Sequence, residues 1–92
     1  MQRGLENYTM IKIIGQGAYS LVKEAIRKSD QLKVAIKVYD KQELADLHKR
    51  QNLKNEIKIL QSMRHPNIVR LYEVVETDTH IFLVMELSLI HI

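Results

Sequence analysis

The sequence has no cysteine and no tryptophan, one proline, three glycines and a single phenylalanine among its 92 residues. Without cysteine there is no disulfide framework, no thiolate zinc site and no cysteine nucleophile. No apolar run approaches the ~18–20 residues of a membrane span, so no membrane partner is expected. Residues 1–7 hold no apolar stretch of the secretory type. A cytoplasmic address is the expectation, and the nucleus stays open. Charge of one sign is also scarce. Fourteen Lys plus Arg against eleven Asp plus Glu leave a net +3, too small and too scattered to argue for nucleic acid. The histidines at 48, 65, 80 and 91 show no metal-ligand spacing, so no metal site is expected from them. What remains is globular in character, 46% hydrophobic and 27% charged. A chain of this size makes one small domain or part of one. It buries roughly 60–65% of its unfolded surface and has little room for a large cleft of its own.

Residues 8–14 are β-branched and aromatic and run into Gly15, the pattern of a strand ending in a tight turn. Residues 33–39 form a second clear strand. From Lys41 to Met63 no breaker interrupts the chain, and the back half is amphipathic, which predicts a long helix. With Leu53 as origin and about 100° per residue, Ile57 lies near ~40°, Leu60 near ~340° and Met63 near ~280°. Pro66 ends the helix, because it pushes its predecessor out of the α region. Residues 68–76 and 80–86 read as two more strands joined by the polar turn Thr77-Asp78-Thr79. Residues 21–29 are ambiguous: Leu21, Val22, Ala25 and Ile26 carry helical spacing, and strict alternation fits them poorly.

Gly15-Gln16-Gly17-Ala18-Tyr19-Ser20 is a glycine-rich turn after a strand, where backbone N–H groups can approach phosphate oxygens with no Cβ in the way. Two arrangements fit around it. In a dinucleotide-binding βαβ unit, residues 21–29 would be helical and Asp40 would meet the ribose. Ser20 then stands where close helix–sheet packing wants Gly or Ala, and Lys37 falls inside a strand of a sheet buried on both faces. In a strand–loop–strand hairpin lying over a nucleotide, Lys37 is expected. It is the one charge within Val34-Ala35-Ile36-Lys37-Val38-Tyr39, and its ammonium needs a partner or a phosphate. Glu56 falls near ~300° on the wheel, inside the apolar stripe of the helix. An ammonium in an apolar strand and a carboxylate on a buried helix face call for each other, and the second arrangement is preferred.

On these residues the chain resembles the N-terminal lobe of a eukaryotic protein kinase. Gly15 to Val22 is similar to the kinase glycine-rich loop, with Ser20 in place of its last glycine. Val34-Ala35-Ile36-Lys37 matches the V-A-I-K strand, and Glu56 matches the helix-C glutamate. The string from His65 to Val74 resembles the calmodulin-dependent and SNF1-related Ser/Thr kinases. The resemblance implies an α+β fold, a five-stranded antiparallel sheet with one long helix C, and turns residues 21–28 into the second strand. It implies a partial kinase domain over residues 8–87, an extension over 1–7, and a truncated or non-native tail over 88–92.

The resemblance also implies roles. ATP would lie under Ile14, Gly15, Gln16, Gly17, Ala18, Tyr19, Ser20, Leu21 and Val22. Lys37 would hold its α- and β-phosphates, with Glu56 orienting Lys37. Val22 and Ala35 would sandwich the adenine, Met85 would stand at the back of its pocket, and Glu86 would begin the hinge. Leu60 and Leu71 would pack beneath helix C. The family's H-R-D and D-F-G motifs do not occur in the sequence; the closest string, His48-Lys49-Arg50, is helical and wrongly placed. No base and no ligand for Mg²⁺ can be assigned, so the chain is expected to be the ATP-binding half of a Ser/Thr kinase, inactive by itself. Its protein substrate would be met through the other lobe. The alternative is a non-catalytic module acting through helix C. The basic positions Lys41, Lys49, Arg50, Lys54 and Lys58 read as a solvated helix face. Leu60, Met63, Leu71, Met85, Leu89 and Ile90 are expected to be left partly bare beneath the sheet.

Overall fold

A computed structural model describes residues 4–17, 20–62 and 70–87. Five strands, β1 (Tyr8–Gln16), β2 (Ser20–Arg27), β3 (Lys33–Asp40), β4 (Leu71–Glu76) and β5 (His80–Glu86), and one helix, α1 (Leu47–Ser62), follow in the order β1 β2 β3 α1 β4 β5. All neighbours in the sheet are antiparallel, and the strand order is β1-β2-β3-β5-β4. This is the expected α+β lobe.

Residues 20–27 are a strand, and the helical spacing read in Leu21, Val22, Ala25 and Ile26 has a simple origin. In the register with β3, Leu21 and Ala25 oppose Val38 and Val34, while Val22 and Ile26 oppose Lys37 and Lys33. The four apolar residues divide between the two faces of a strand partly covered on both. That division mimics one stripe of a helix. The turn into β3 is held by Arg27, whose guanidinium donates to both oxygens of Asp30 at 2.9 and 2.6 Å. That contact holds the Asp30 carboxyl down to about 2.

The helix begins at Leu47 rather than Lys41. Residues 41–44 form a turn in which the Glu43 and Leu44 N–H groups donate to the Asp40 and Lys41 carbonyls, both at 3.1 Å. Asp46 then caps α1, its Oδ1 accepting from the His48 N–H at 2.7 Å. The last described stretch of the helix ends at Ser62; Met63 and Pro66 lie outside the described residues, as do 68 and 69 of the expected fourth strand.

The sheet has a cluster on each face. One holds Leu5, Tyr8, Ala25, Val34, Ile36, Val38, Phe82 and Val84. The other holds Tyr39, Leu44, Leu53, Leu83 and Met85, with Ile57, Leu71 and Val74 packed beside them, and it is where α1 docks. Met85, expected to be partly bare, is 6% exposed, because α1 and the sheet close over it. Leu71 is half-buried; Leu89 and Ile90 lie outside the described residues, and nothing is described of the Leu60 side chain.

Tyr8 on β1 donates its hydroxyl to Glu73 on β4. These strands are the two opposite edges of the sheet, so the sheet curls until its borders touch. Gly4 sits at the join with φ +92°, and a Cβ there would lie 2.7 Å from Val75 Cγ1. Only glycine meets both conditions. Burial, and then the Glu73 carboxylate, push the Tyr8 phenol well above its ordinary value of 10.0. A group whose pKa rises on folding contributes stability that is complete below its unfolded pKa and is lost as pH climbs toward the folded one. The thermal midpoint should therefore fall above pH 10, and Tyr8→Phe should flatten that fall. Parallel pH profiles for the two proteins would refute the assignment.

Candidate functional site

Strand alternation places Ala35, Lys37 and Tyr39 on one face of β3, the face on which α1 docks. Leu53 and Ile57 of α1 join the cluster there, and that packing turns Glu56 toward β3. The Lys37 Nζ lies 2.8 Å from Glu56 Oε1, and the Tyr39 hydroxyl donates to Glu56 Oε2, also at 2.8 Å. The ammonium also stands 5.4 Å from the centre of the Tyr39 ring. The side chains of Lys37 and Glu56 keep 26% and 35% of their surface, so the pair is sheltered yet open to a ligand on one side.

Tyr39 is the member of this site that sequence reasoning missed. Its signal was present: it stands two residues beyond Lys37, hence on the same side of the strand. It holds the second oxygen of Glu56, which fixes the carboxylate plane relative to Lys37.

The register carries the site toward the glycine turn. Gly15 opposes Val22, Val22 opposes Lys37, and Lys37 opposes Leu83, making one row across four strands. In the next row Glu24 opposes Ala35 and Ala35 opposes Met85. Irregularities in the β1–β2 ladder fall between Met10 and Lys12 and between Ile13 and Gly15. The second leaves Ile14 as the extra residue and swings Gly15 opposite Val22. The Gly17 N–H donates to the Ser20 carbonyl at 2.8 Å, closing the hairpin.

Gly15, Val22, Ala35, Lys37 and Met85 thus share one face with Glu56 behind them. Leu21 does not join them, because it opposes Val38 and points to the other face, and Gln16 opposes Leu21. Ala18 and Tyr19 lie outside the described residues. Glu86 ends β5 opposite Val34, its N–H donating to the Arg70 carbonyl at 2.9 Å. A cleft of about 300 Å³ beside the hairpin is lined by Leu21, Val38, Asp40 and His80 among others. Gln16, Gly17 and Ser20 of the hairpin also line it, and Lys37 does not.

Asp40, the candidate ribose ligand of a dinucleotide unit, accepts from the Gln42 N–H at 2.8 Å and opposes His80. It shapes the turn before α1. With a strand directly after the glycine turn, the βαβ arrangement is excluded. Among the described residues no group of His, Asp and Glu could hold a metal ion, and no helix is long and apolar enough to cross a membrane.

Residues 8–90 match the family model described as protein kinase domain. The chain is 43% identical over 83 residues to the human serine/threonine-protein kinase DCLK2, covering 90% of this chain and 11% of that protein. It is 40% identical over 82 residues to the rice serine/threonine protein kinase OSK3, covering 89% and 16%. It is 44% identical over 82 residues to the zebrafish serine/threonine-protein kinase SIK3 homolog, covering 86% and 7%. The chain therefore spans a small part of each of these relatives.

Proposed function

The chain belongs to the protein kinase family, and on that premise we propose that it is the ATP-binding half of a protein serine/threonine kinase. The observation that carries this reading is the Lys37–Glu56 pair at 2.8 Å, set in one row with Val22 and Gly15 of the glycine hairpin. The residues present fit the nucleotide. An ammonium held by a carboxylate is fixed in position while leaving donors for α- and β-phosphate oxygens. Val22 and Ala35 offer small apolar contacts for an adenine, and Met85 bounds that space from β5. Ile14, Gly15, Gln16, Gly17, Ala18, Tyr19, Ser20 and Leu21 supply the hairpin over the phosphates. Most of these contribute backbone, so the outward side chain of Leu21 is no obstacle. Glu86 begins the hinge. Bound ATP supplies the γ-phosphoryl group, and Lys37 and Glu56 position the phosphates beside it.

The sequence contains no H-R-D and no D-F-G, so it supplies neither the base nor the Mg²⁺ ligands of the family. Phosphoryl transfer, and the choice of protein substrate, are assigned to a complete two-lobed kinase. Backbone-amide NMR with an ATP titration tests the proposal. Weak binding is expected, with Kd about millimolar. Shifts should centre on Gly15, Val22, Ala35 and Lys37, and Lys37→Met should abolish them. No radiolabel should pass from ATP to protein. Shifts confined to Val38, Asp40 and His80, or none at all, would overturn the proposal and favour a module that acts without nucleotide.

A further inference from the structure

Helix α1 buries Leu53 and half-buries Ile57 and Glu56 against the sheet. Its outer side carries Arg50, Lys54 and Lys58, all exposed, at i, i+4 and i+8. Residues at this spacing lie one above the other on a helix. The three cations form a single row, pointing away from Lys37. Among the described residues, the ion pairs are Lys12–Glu24, Arg27–Asp30, Lys37–Glu56 and Lys41–Glu76, so none engages this row. Arg50 donates through Nε to the Leu44 carbonyl at 2.7 Å, which fixes its guanidinium at the head of the row. The first turn of α1 holds no acidic residue and carries His48, Lys49 and Arg50 instead. Like charges four apart, and cations at a helix N-terminus, both work against the helix. Leu47, 78% exposed, continues the line three residues before Arg50.

We propose that this face docks an extended acidic segment of a protein partner, with acidic side chains at alternate positions and an apolar residue over Leu47. The spacing carries the choice of occupant. Successive cations of the row are about 6 Å apart along the helix axis, and alternate residues of an extended chain are about 6.6–6.8 Å apart. Three alternate carboxylates can therefore face the three cations in register. A membrane surface is disfavoured because the apolar side of α1 is already spent on the sheet, and an interfacial helix needs that side free. A nucleic acid is disfavoured by the small net charge of +3. The surface does not depend on the nucleotide site, which lies on the other side of the helix.

Fluorescence anisotropy tests this with the whole 92-residue chain. The probe is a labelled synthetic peptide of leucine followed by glutamates alternating with serines. Lys54→Glu with Lys58→Glu should weaken binding about tenfold or more, as should raising salt from about 50 to about 300 mM. Lys28→Glu with Lys33→Glu makes the same charge change at exposed positions outside α1 and should change binding less than about twofold. If the glutamate pair fails to fold by circular dichroism, Lys54→Gln with Lys58→Gln replaces it, with a loss in the same direction. Equal loss in both double variants would reduce the effect to net charge and overturn the proposal. Equal affinity for a peptide with the same glutamates in one block would overturn it too. So would tighter binding to phosphatidylserine vesicles or to a DNA oligonucleotide.

Discussion

Phe82→Ala should leave the chain largely unfolded. The ring is 1% exposed and lies in the cluster with Ile36, Val38 and Val84, and it stacks on His80 with centroids 5.7 Å apart. It is the sole phenylalanine of the sequence, and among the described residues it is the largest of the fully buried side chains. Truncating a buried phenylalanine costs ~3–5 kcal/mol, the lost transfer energy plus the cavity. A domain holds only ~5–15 kcal/mol in total, and a chain this short sits toward the low end. Phe82→Leu, which keeps most of the volume, should cost about 1 kcal/mol. Urea denaturation followed by circular dichroism separates the two. A midpoint for Phe82→Ala close to that of the unmodified chain would mean that the cluster does not carry the fold.

The second large effect concerns Glu56. Removing one member of a fully buried ion pair costs ~3–5 kcal/mol. Lys37 and Glu56 keep 26% and 35% of their side-chain surface, so water screens what is left and the expected cost of Glu56→Ala is nearer 1–2 kcal/mol, an order-of-magnitude figure. Glu56→Gln should cost less, because the amide still accepts from Tyr39. The coupling is the sharper quantity. A cycle of Lys37→Met and Glu56→Gln should return about 1 kcal/mol of interaction, and a cycle with Tyr39→Phe a smaller term of the same sign. Additive effects in the first cycle would show that the 2.8 Å contact contributes nothing to stability and serves only to place the ammonium.

The sequence was most legible where side chains answer to a single partner. Lys37 in an apolar strand and Glu56 in an apolar helix stripe announced each other, and they meet at 2.8 Å. The strands over residues 8–14, 33–39 and 80–86 were legible from β-branched composition and turn residues. Residues 21–29 were not, since period is readable only when one face of a strand is wet, and β2 is half-covered on both. The start of α1 was hidden too. Lys41 to Asp46 contains no Gly or Pro, and the chain departs from the helix there because Asp40 and Asp46 recruit backbone N–H groups through their side chains. Tyr39 was overlooked because a tyrosine at the end of an apolar strand passes for core, and by burial it is core, 3% exposed. Its part in the site lies in the hydroxyl that Glu56 accepts from and in the ring beside the Lys37 ammonium.

The strand order has a consequence for how such a chain assembles. The β1-β2-β3 meander and the β4–β5 hairpin are each built from neighbours in sequence, but β3 and β5 pair across the whole intervening helix. That central seam closes a loop of roughly forty residues, an entropic cost that must be met before its contacts return anything. The lobe is in effect two locally determined pieces zipped along Val34–Asp40 and His80–Glu86. Lys37 and Leu83 lie on the zip itself, and Glu56 arrives from the connecting segment. The cluster that seats α1 takes Tyr39 from β3 and Leu83 and Met85 from β5, so the surface that presents Glu56 to the ammonium is complete only when the two pieces have joined.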